Sequence, residues 1–419
     1  MNDFANRIKY HRLKLKMTQT ELANGIISVS YLSKIENGVA SPPPDTIELI
    51  CKKLNIEVYS SDSDDKKYNE LANSWFKYLF YNESAKMLHH YKKIKENIHL
   101  IADNGLVNMI EIHKLRYYIL IKDYKNANVQ QRFLNGLAKN FNNKELYYWL
   151  KFSDYFYFVN FSYRQSLESF LQAEKYIDNT FYLKKEEKYG LYYMIGLSAS
   201  YARKLYITLL YTNKALEYYQ KNYFLKQCAQ CHLLIGITTT RLKNYEEAIT
   251  SYKLAETIAR KLNDKNILAS AFQNIGYLYT LLDKPTDAIE SYINSYEIRT
   301  EPIKKIIPIS SLMKLYYESQ NDPNASKWLD IGLRLISENE LDQMHINEFK
   351  VYEQLIKGIS SSSLEHLILN EILPFLDEKE LYYEKYSYMN ILADYYYKVR
   401  KYKSSADYYK KSLEIKKNL

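Results

Sequence analysis

Three glycines spaced forty residues apart, Gly196, Gly236 and Gly276, limit what this chain can fold into more than any other feature. Gly236 lies in LLIGITTTRLKNYEEAITSYKLAETIA and Gly276 in QNIGYLYTLLDKPTDAIESYINSYEIR. In both stretches an alanine follows twelve residues after the glycine (Ala248, Ala288). A tyrosine comes four later (Tyr252, Tyr292) and a small residue three after that (Ala255, Ser295). Small residues at helical offsets let two helices approach, and the aromatic fills the space beside them. Weaker copies run both ways: Ser166, Phe170 and Ala173 before, with Ala85 and Ala127 earlier still. After the clear units come Ala325, Leu329 and Gly332, then Ala393, Ser405, Tyr409 and Ser412. The spacing predicts about nine helical hairpins between residues 68 and 419, least regular from Gly358 to Leu376, where Ser360 to Ser363 and Pro374 fall. Such hairpins cannot bury their apolar faces singly. Stacked, they form a right-handed superhelix whose concave wall is lined by the first helix of each pair. A wall of that kind suits an extended peptide or a segment of another protein.

Composition agrees with an all-α chain. In 419 residues there are only 10 glycines and 8 prolines, against 47% apolar residues. Few breakers and many apolar positions favour long helices. The 45 tyrosines place on many helices a side chain that is apolar along its body and polar at its tip. A net charge of +9 is compatible with a polyanionic partner without requiring one. Three cysteines, Cys51, Cys228 and Cys231, make no disulfide framework. With no signal peptide and no run of about 18 apolar residues, a cytoplasmic location without membrane contact is expected.

The stretch TQTELANGIISVSYLSKIENG, Thr18 to Gly38, reads as two short helices joined by a tight turn. Thr18 is suited to cap the first helix and Ser28 the second, with Gly38 as the left-handed stop. Ala23 is small enough for a close crossing, and Leu32 and Ile35 face inward. On a helical wheel, Ser30, Ser33, Lys34 and Asn37 face out, with Tyr31 at the border. Small polar side chains and one cation on a short second helix suit the major groove of duplex DNA. Thr18, Gln19 and Ser28 at the two helix starts complete the candidate DNA-contacting set. Arg7, Lys9, Arg12, Lys14 and Lys16 form a candidate phosphate-facing cluster beside it. Phe4, Ile8 and Leu15 give a helical stripe before the motif, and Ile47, Ile50 and Leu54 a second one after Pro42 to Pro44. Residues 1–56 are expected to hold five helices. The polar run Glu57 to Lys67 then reads as a linker.

Candidate chemistry is sparse. Cys228, Cys231 and His232 invite a metal or redox reading, but no second CxxC accompanies them, so core cysteines are expected. His89, His90 and His113 lie on early helices without a partner cluster. No phosphate loop, nucleophile elbow or HExxH occurs. No catalytic residue, metal or cofactor is expected, and the chain is read as a non-enzyme. On the inner wall, Gln273, Asn274 and Tyr277 in one first helix are candidate peptide contacts, because an amide can both donate to and accept from a peptide backbone. Gln230, Arg241, Lys314 and Asn390 occupy analogous positions. Arg241 and Lys314 could meet a carboxylate.

These residues carry a family resemblance. TQ-x-E-L-A followed by SYLSKIENG resembles the helix-turn-helix of the Cro/repressor type. The turn is one residue shorter than the common form, with Gly25 early, and this resembles the peptide-sensing regulators of the Rgg/Rap/NprR/PlcR (RNPP) group. The Gly/Ala/aromatic offsets resemble a tetratricopeptide pattern, at a spacing wider than the usual period of about 34. The resemblance implies a helix-turn-helix DNA-binding domain over residues 1–58, a linker over 59–67 and a tetratricopeptide-like right-handed α-solenoid over 68–419, most like the NprR-type branch. It implies a quorum-sensing transcriptional regulator with double-stranded DNA and a short signalling peptide as partners, acting as a homodimer. Asn274 in QNIGYLY resembles the asparagine with which such proteins hold a peptide main chain. The alternative is that the repeat domain binds or sequesters a phosphorelay response regulator. Dephosphorylation is disfavoured, because IEIHKLRYYIL shows no glutamine matching the one used by the Rap branch.

Overall fold

A computed structural model describes residues 2–56, 62–98, 101, 103–177, 183–358 and 361–417. Among the described residues there is no strand. The chain forms two compact units, one of residues 1–160 and 165–184, the other of 161–164 and 185–419.

The first unit opens with four helices, α1 (Asn2–Lys14), α2 (Gln19–Ala23), α3 (Val29–Glu36) and α4 (Pro44–Leu54), not the five expected. Their core is Ile8, Leu22, Ala23, Leu32, Ile35, Ile50 and Leu54. Leu15 does not join it: α1 ends at Lys14 and Leu15 is 52% exposed. The caps are those read from sequence. Thr18 Oγ1 accepts the Glu21 N–H at 3.1 Å while Glu21 Oε2 accepts the Thr18 N–H at 2.6 Å, a complete capping box. Ser28 Oγ accepts the Tyr31 N–H at 3.2 Å. Gly25 and Gly38 have φ of +78° and +69°, a region that costs glycine nothing.

Three hairpins follow: α5 (Asp62–Tyr81) with α6 (Ser84–Asn97), α7 (Asn104–Leu120) with α8 (Tyr124–Leu137), and α9 (Asn143–Val159) with α10 (Tyr163–Glu174). Residues 57–61 lie outside the described residues, and 62–67 form the first turns of α5 rather than a linker. Helix α1 packs against these hairpins: the Tyr10 hydroxyl donates to Glu111 Oε1 at 2.7 Å, and Tyr10 belongs to the core of α5 to α9.

The second unit holds α11 (Lys185–Tyr201), α12 (Leu205–Lys221), α13 (Leu225–Arg241), α14 (Tyr245–Leu262), α15 (Lys265–Leu281), α16 (Pro285–Ile298), α17 (Ile306–Glu318), α18 (Asp322–Glu338) and α19 (Gln343–Lys357). Then comes α20 (Ser361–His366), joined through a π-helical turn at Leu367–Ile372 to α21 (Leu373–Glu378), and a last hairpin of α22 (Tyr382–Lys398) and α23 (Tyr402–Lys416). Counting α19 with α20–α21 as one irregular pair, the described helices make nine hairpins. Each helix packs on the next, and α11, α13, α15, α17 and α19 also touch in series, forming the inner layer.

Sterics explain the forty-residue glycines. A Cβ on Gly236 would lie 2.4 Å from the Tyr252 ring, and one on Gly276 2.7 Å from the Tyr292 ring. Both rings are buried, and their hydroxyls meet Thr240 at 3.0 Å and Thr280 at 3.2 Å. The aromatic therefore occupies the volume a side chain on the glycine would take. In the Gly196 hairpin Thr212 replaces the tyrosine, with its Oγ1 2.5 Å from where that Cβ would be. Two weaker copies shift: Ala85 is exposed, and in the last hairpin Tyr408, not Tyr409, is the buried aromatic.

Candidate functional site

Two surfaces carry the residues that the sequence singles out. The first is α3 with the caps around it. Ser30, Lys34 and Asn37 are exposed, while Tyr31 and Ser33 are half-buried, and Tyr31 reaches the Ser41 carbonyl at 3.4 Å. Thr18 and Ser28 act as caps with exposed side chains. Gln19 is tied inward, donating to Glu36 Oε2 at 2.8 Å.

Behind this face lies a buried ion pair. Arg12 donates from Nε to Glu36 Oε1 at 2.5 Å and from Nη2 to Oε2 at 2.8 Å, and its Nη1 meets the Met17 carbonyl at 2.9 Å. Glu36 is 1% exposed. Arg12 therefore leaves the expected phosphate-facing cluster. A buried carboxylate at the end of α3 captures it, because an unpaired charge there would be costly. Lys14 turns towards the Tyr10 hydroxyl at 3.1 Å. The surface for a polyanion is thus narrower than the basic sequence suggested.

The second surface is a cavity of about 610 Å³ in the second unit, a volume typical of ligand sites. Its wall comes from α11, α13, α15, α17, α19 and α22, with Tyr252 of α14 beneath. Of the expected peptide contacts, Arg241, Asn274, Tyr277 and Lys314 line it. Gln230, Gln273 and Asn390 do not. Gln273 sits one position round the helix from Asn274, and its Nε2 donates to Ser311 Oγ at 2.8 Å. Gln230 shares the face of Leu234 but lies one turn before the cavity begins.

The polar groups have distinct roles. Asn274 Nδ2 donates to the Ser270 carbonyl at 2.9 Å, which leaves Oδ1 as an acceptor with no partner among the described residues. Tyr277 is 45% exposed beside it. Lys314 Nζ pairs with Glu348 Oε1 at 2.5 Å, and Ser310 donates to Glu348 Oε2 at 2.6 Å. Burial opposes the charge on both partners, but their attraction outweighs it, so Lys314 is held above its ordinary pKa and Glu348 below. Arg241 Nη1 donates to the Ser200 carbonyl at 2.6 Å and to its Oγ at 3.0 Å.

Sequence reasoning missed Arg203, whose guanidinium carbon sits 3.3 Å from the centre of the Tyr383 ring. It also missed Glu348 and Tyr383. Arg203 stands in the turn after α11 with φ of +60°. The turn inside most hairpins carries such a residue, among them Lys122, Lys243 and Asp283. That recurrence at repeat spacing was the available signal, but the residue types vary.

Cys228 and Cys231 are buried in α13, and burial pushes both thiols up and lowers the His232 pKa. Among the described residues no three His, Cys, Asp or Glu side chains could hold a metal ion, and no helix is long and apolar enough to cross a membrane. His113 is buried, its Nδ1 2.7 Å from the Met109 carbonyl.

Residues 8–59 match the helix-turn-helix family, and residues 228–301 the tetratricopeptide repeat. The chain is 30% identical to the transcriptional activator NprA of Geobacillus stearothermophilus over 406 residues, 95% of this chain and 99% of that protein. In fold it is similar to a Rap protein complexed with competence and sporulation factor (TM-score 0.71, 19% identity, 84% of this chain and 98% of the other). It is also similar to NprR in complex with its cognate peptide NprX (TM-score 0.66, 18% identity, 83% and 99%). A relative of that identity spanning nearly the whole of both chains, together with these folds, places the chain in the Rgg/Rap/NprR/PlcR (RNPP) family of peptide-sensing regulators, where it is most like the NprR-type branch.

Proposed function

We propose that this chain is a quorum-sensing transcriptional regulator, and not an enzyme, that binds operator DNA through α3 and a short signalling peptide in the cavity of its repeat domain. The observation that carries the reading is the joint presence of both surfaces on one chain: an exposed polar recognition helix and a trough walled by first helices. Residues 1–58 serve as the DNA-reading module and 68–419 as the peptide-binding module. Ser30, Lys34 and Asn37 contact the operator directly, with Tyr31 and Ser33 at the margin, Thr18 and Ser28 capping the two helices and Gln19 bonded to Glu36 behind them. A homodimer in the cytoplasm pairs two half-sites, since a lone recognition helix reads too few base pairs for specificity. The peptide acts only through unequal affinity for the DNA-competent and incompetent arrangements.

Selection of duplexes from a random pool by the full chain tests the DNA half. It should enrich a site with two half-sites, and Lys34→Ala should weaken that site about tenfold, the size of one charged groove contact. Equal binding of random and selected duplexes would sink this half.

Asn274→Ala tests the peptide half. It removes the Oδ1 acceptor but leaves the helix intact, so the melting temperature should hold. Affinity for the tightest binder from a random heptapeptide library should fall about tenfold, as for one buried hydrogen bond left unmade. Calorimetric titration reads this directly, and an unchanged affinity removes Asn274 from the site.

A further inference from the structure

The cavity does not treat its three cations alike. Lys314 is already neutralised by Glu348. Among the described residues, no carboxylate pairs with Arg203 or Arg241. Arg241 spends one nitrogen on Ser200 and has no other hydrogen bond there, while Arg203 lies over the Tyr383 ring. Glu384 lines the same wall but forms no ion pair with either guanidinium. The two arginines also act on each other. Burial first, then the like charge of Arg203, pushes Arg241 down to about 10, which still leaves it protonated at neutral pH. Two neighbouring guanidinium groups in a half-enclosed wall, with unused donors, are an unfavourable arrangement until an anion joins them.

We propose that the Arg203–Arg241 pair is a carboxylate seat, so that the cavity takes a peptide bearing a free carboxylate and rejects its neutral counterpart. The inference rests on the peptide-binding reading above and adds the chemistry of the guest. The carboxylate belongs either to an aspartate or glutamate side chain or to the C-terminus of the peptide. Lys314, although it is the exposed-looking lysine of the first-helix pattern, does not provide the seat because Glu348 holds it. The planar fork of arginine suits two parallel bonds to a carboxylate, whereas lysine offers a point charge.

The test uses the full chain and four pools of random synthetic heptapeptides. Each pool ends in a free acid or an amide, and either includes or omits Asp and Glu; bound species are quantified by mass spectrometry. Pools with a carboxylate should be retained about ten- to a hundred-fold more than the amidated pool without acids, the range for a charge-assisted contact. Preference for the free-acid pool lacking Asp and Glu assigns the seat to the C-terminus, and preference for the amidated acidic pool assigns it to a side chain. Arg203→Gln and Arg241→Gln should each erase most of the discrimination, with Arg241→Lys recovering part of it. Thermal melts of each variant check that the repeats stay folded. Equal retention of all four pools, above the level of a protein-free blank, would overturn the carboxylate seat while leaving peptide binding intact. Retention of every pool at the blank level would remove the peptide reading and the seat with it.

Discussion

Replacing Arg12 with alanine is expected to abolish operator binding and to unfold the DNA-reading helices while the repeats still bind their ligand. Glu36, 1% exposed, accepts two Arg12 bonds at 2.5 and 2.8 Å and one from Gln19 at 2.8 Å. Without Arg12 the buried carboxylate keeps a single neutral side-chain donor, Gln19. Breaking one side of a buried pair costs about 3–5 kcal/mol. A small domain holds only about 5–15 kcal/mol in all, so this loss consumes a large share of it. Hydrogen exchange over α1 to α3 should accelerate sharply, with exchange over α13 to α16 unchanged. The control is the double replacement Arg12→Met with Glu36→Leu, which removes both charges and should recover most of the protection, since an apolar pair of similar volume is often neutral or better. Slow exchange in Arg12→Ala would show that the pair is not what holds α1 to α3.

Gly332→Ala should be the most damaging of the glycine replacements in the repeats. A Cβ there would sit 1.9 Å from one Phe349 ring carbon and 2.4 Å from the next, and Phe349 is fully buried. The ring cannot swing into solvent, so α18 and α19 must separate. Overpacking of this kind costs about 1–3 kcal/mol and sometimes more. Alanine's better helix propensity returns about 1 kcal/mol, leaving a net loss. Gly236→Ala and Gly276→Ala meet rings at 2.4 and 2.7 Å and should cost less. A drop in urea midpoint for Gly332→Ala, relieved when Phe349→Leu makes room, would establish the steric cause. A drop that Phe349→Leu deepens would refute it.

Much of the architecture is legible in the residues because it depends on local rules. Thr18, Ser28 and Gly38 cap and stop helices through bonds that reach only three or four positions along the chain. The Gly236–Tyr252 and Gly276–Tyr292 pairs repeat because a close helix crossing needs the same shapes each time. Asn274, Tyr277 and Arg241 line the cavity because the inner face of a first helix recurs every turn. Gln230, Gln273 and Asn390 were not separated from them, since one step round a helix or one turn along it moves a side chain out of a cavity whose limits other helices set.

Sequence alone therefore determined the hairpin period, the reading head and the identity of the concave face, all consequences of backbone periodicity and side-chain size. Tertiary structure decided which charges stay available. Arg12 and Lys314 are basic residues on plausible faces, yet Glu36 and Glu348, twenty-four and thirty-four positions away, neutralise them. Arg203 and Arg241 line the same cavity, yet among the described residues no carboxylate forms an ion pair with either. Which charges meet is a matter of distance in space, and Coulomb attraction in a poorly solvated wall does not depend on separation along the chain.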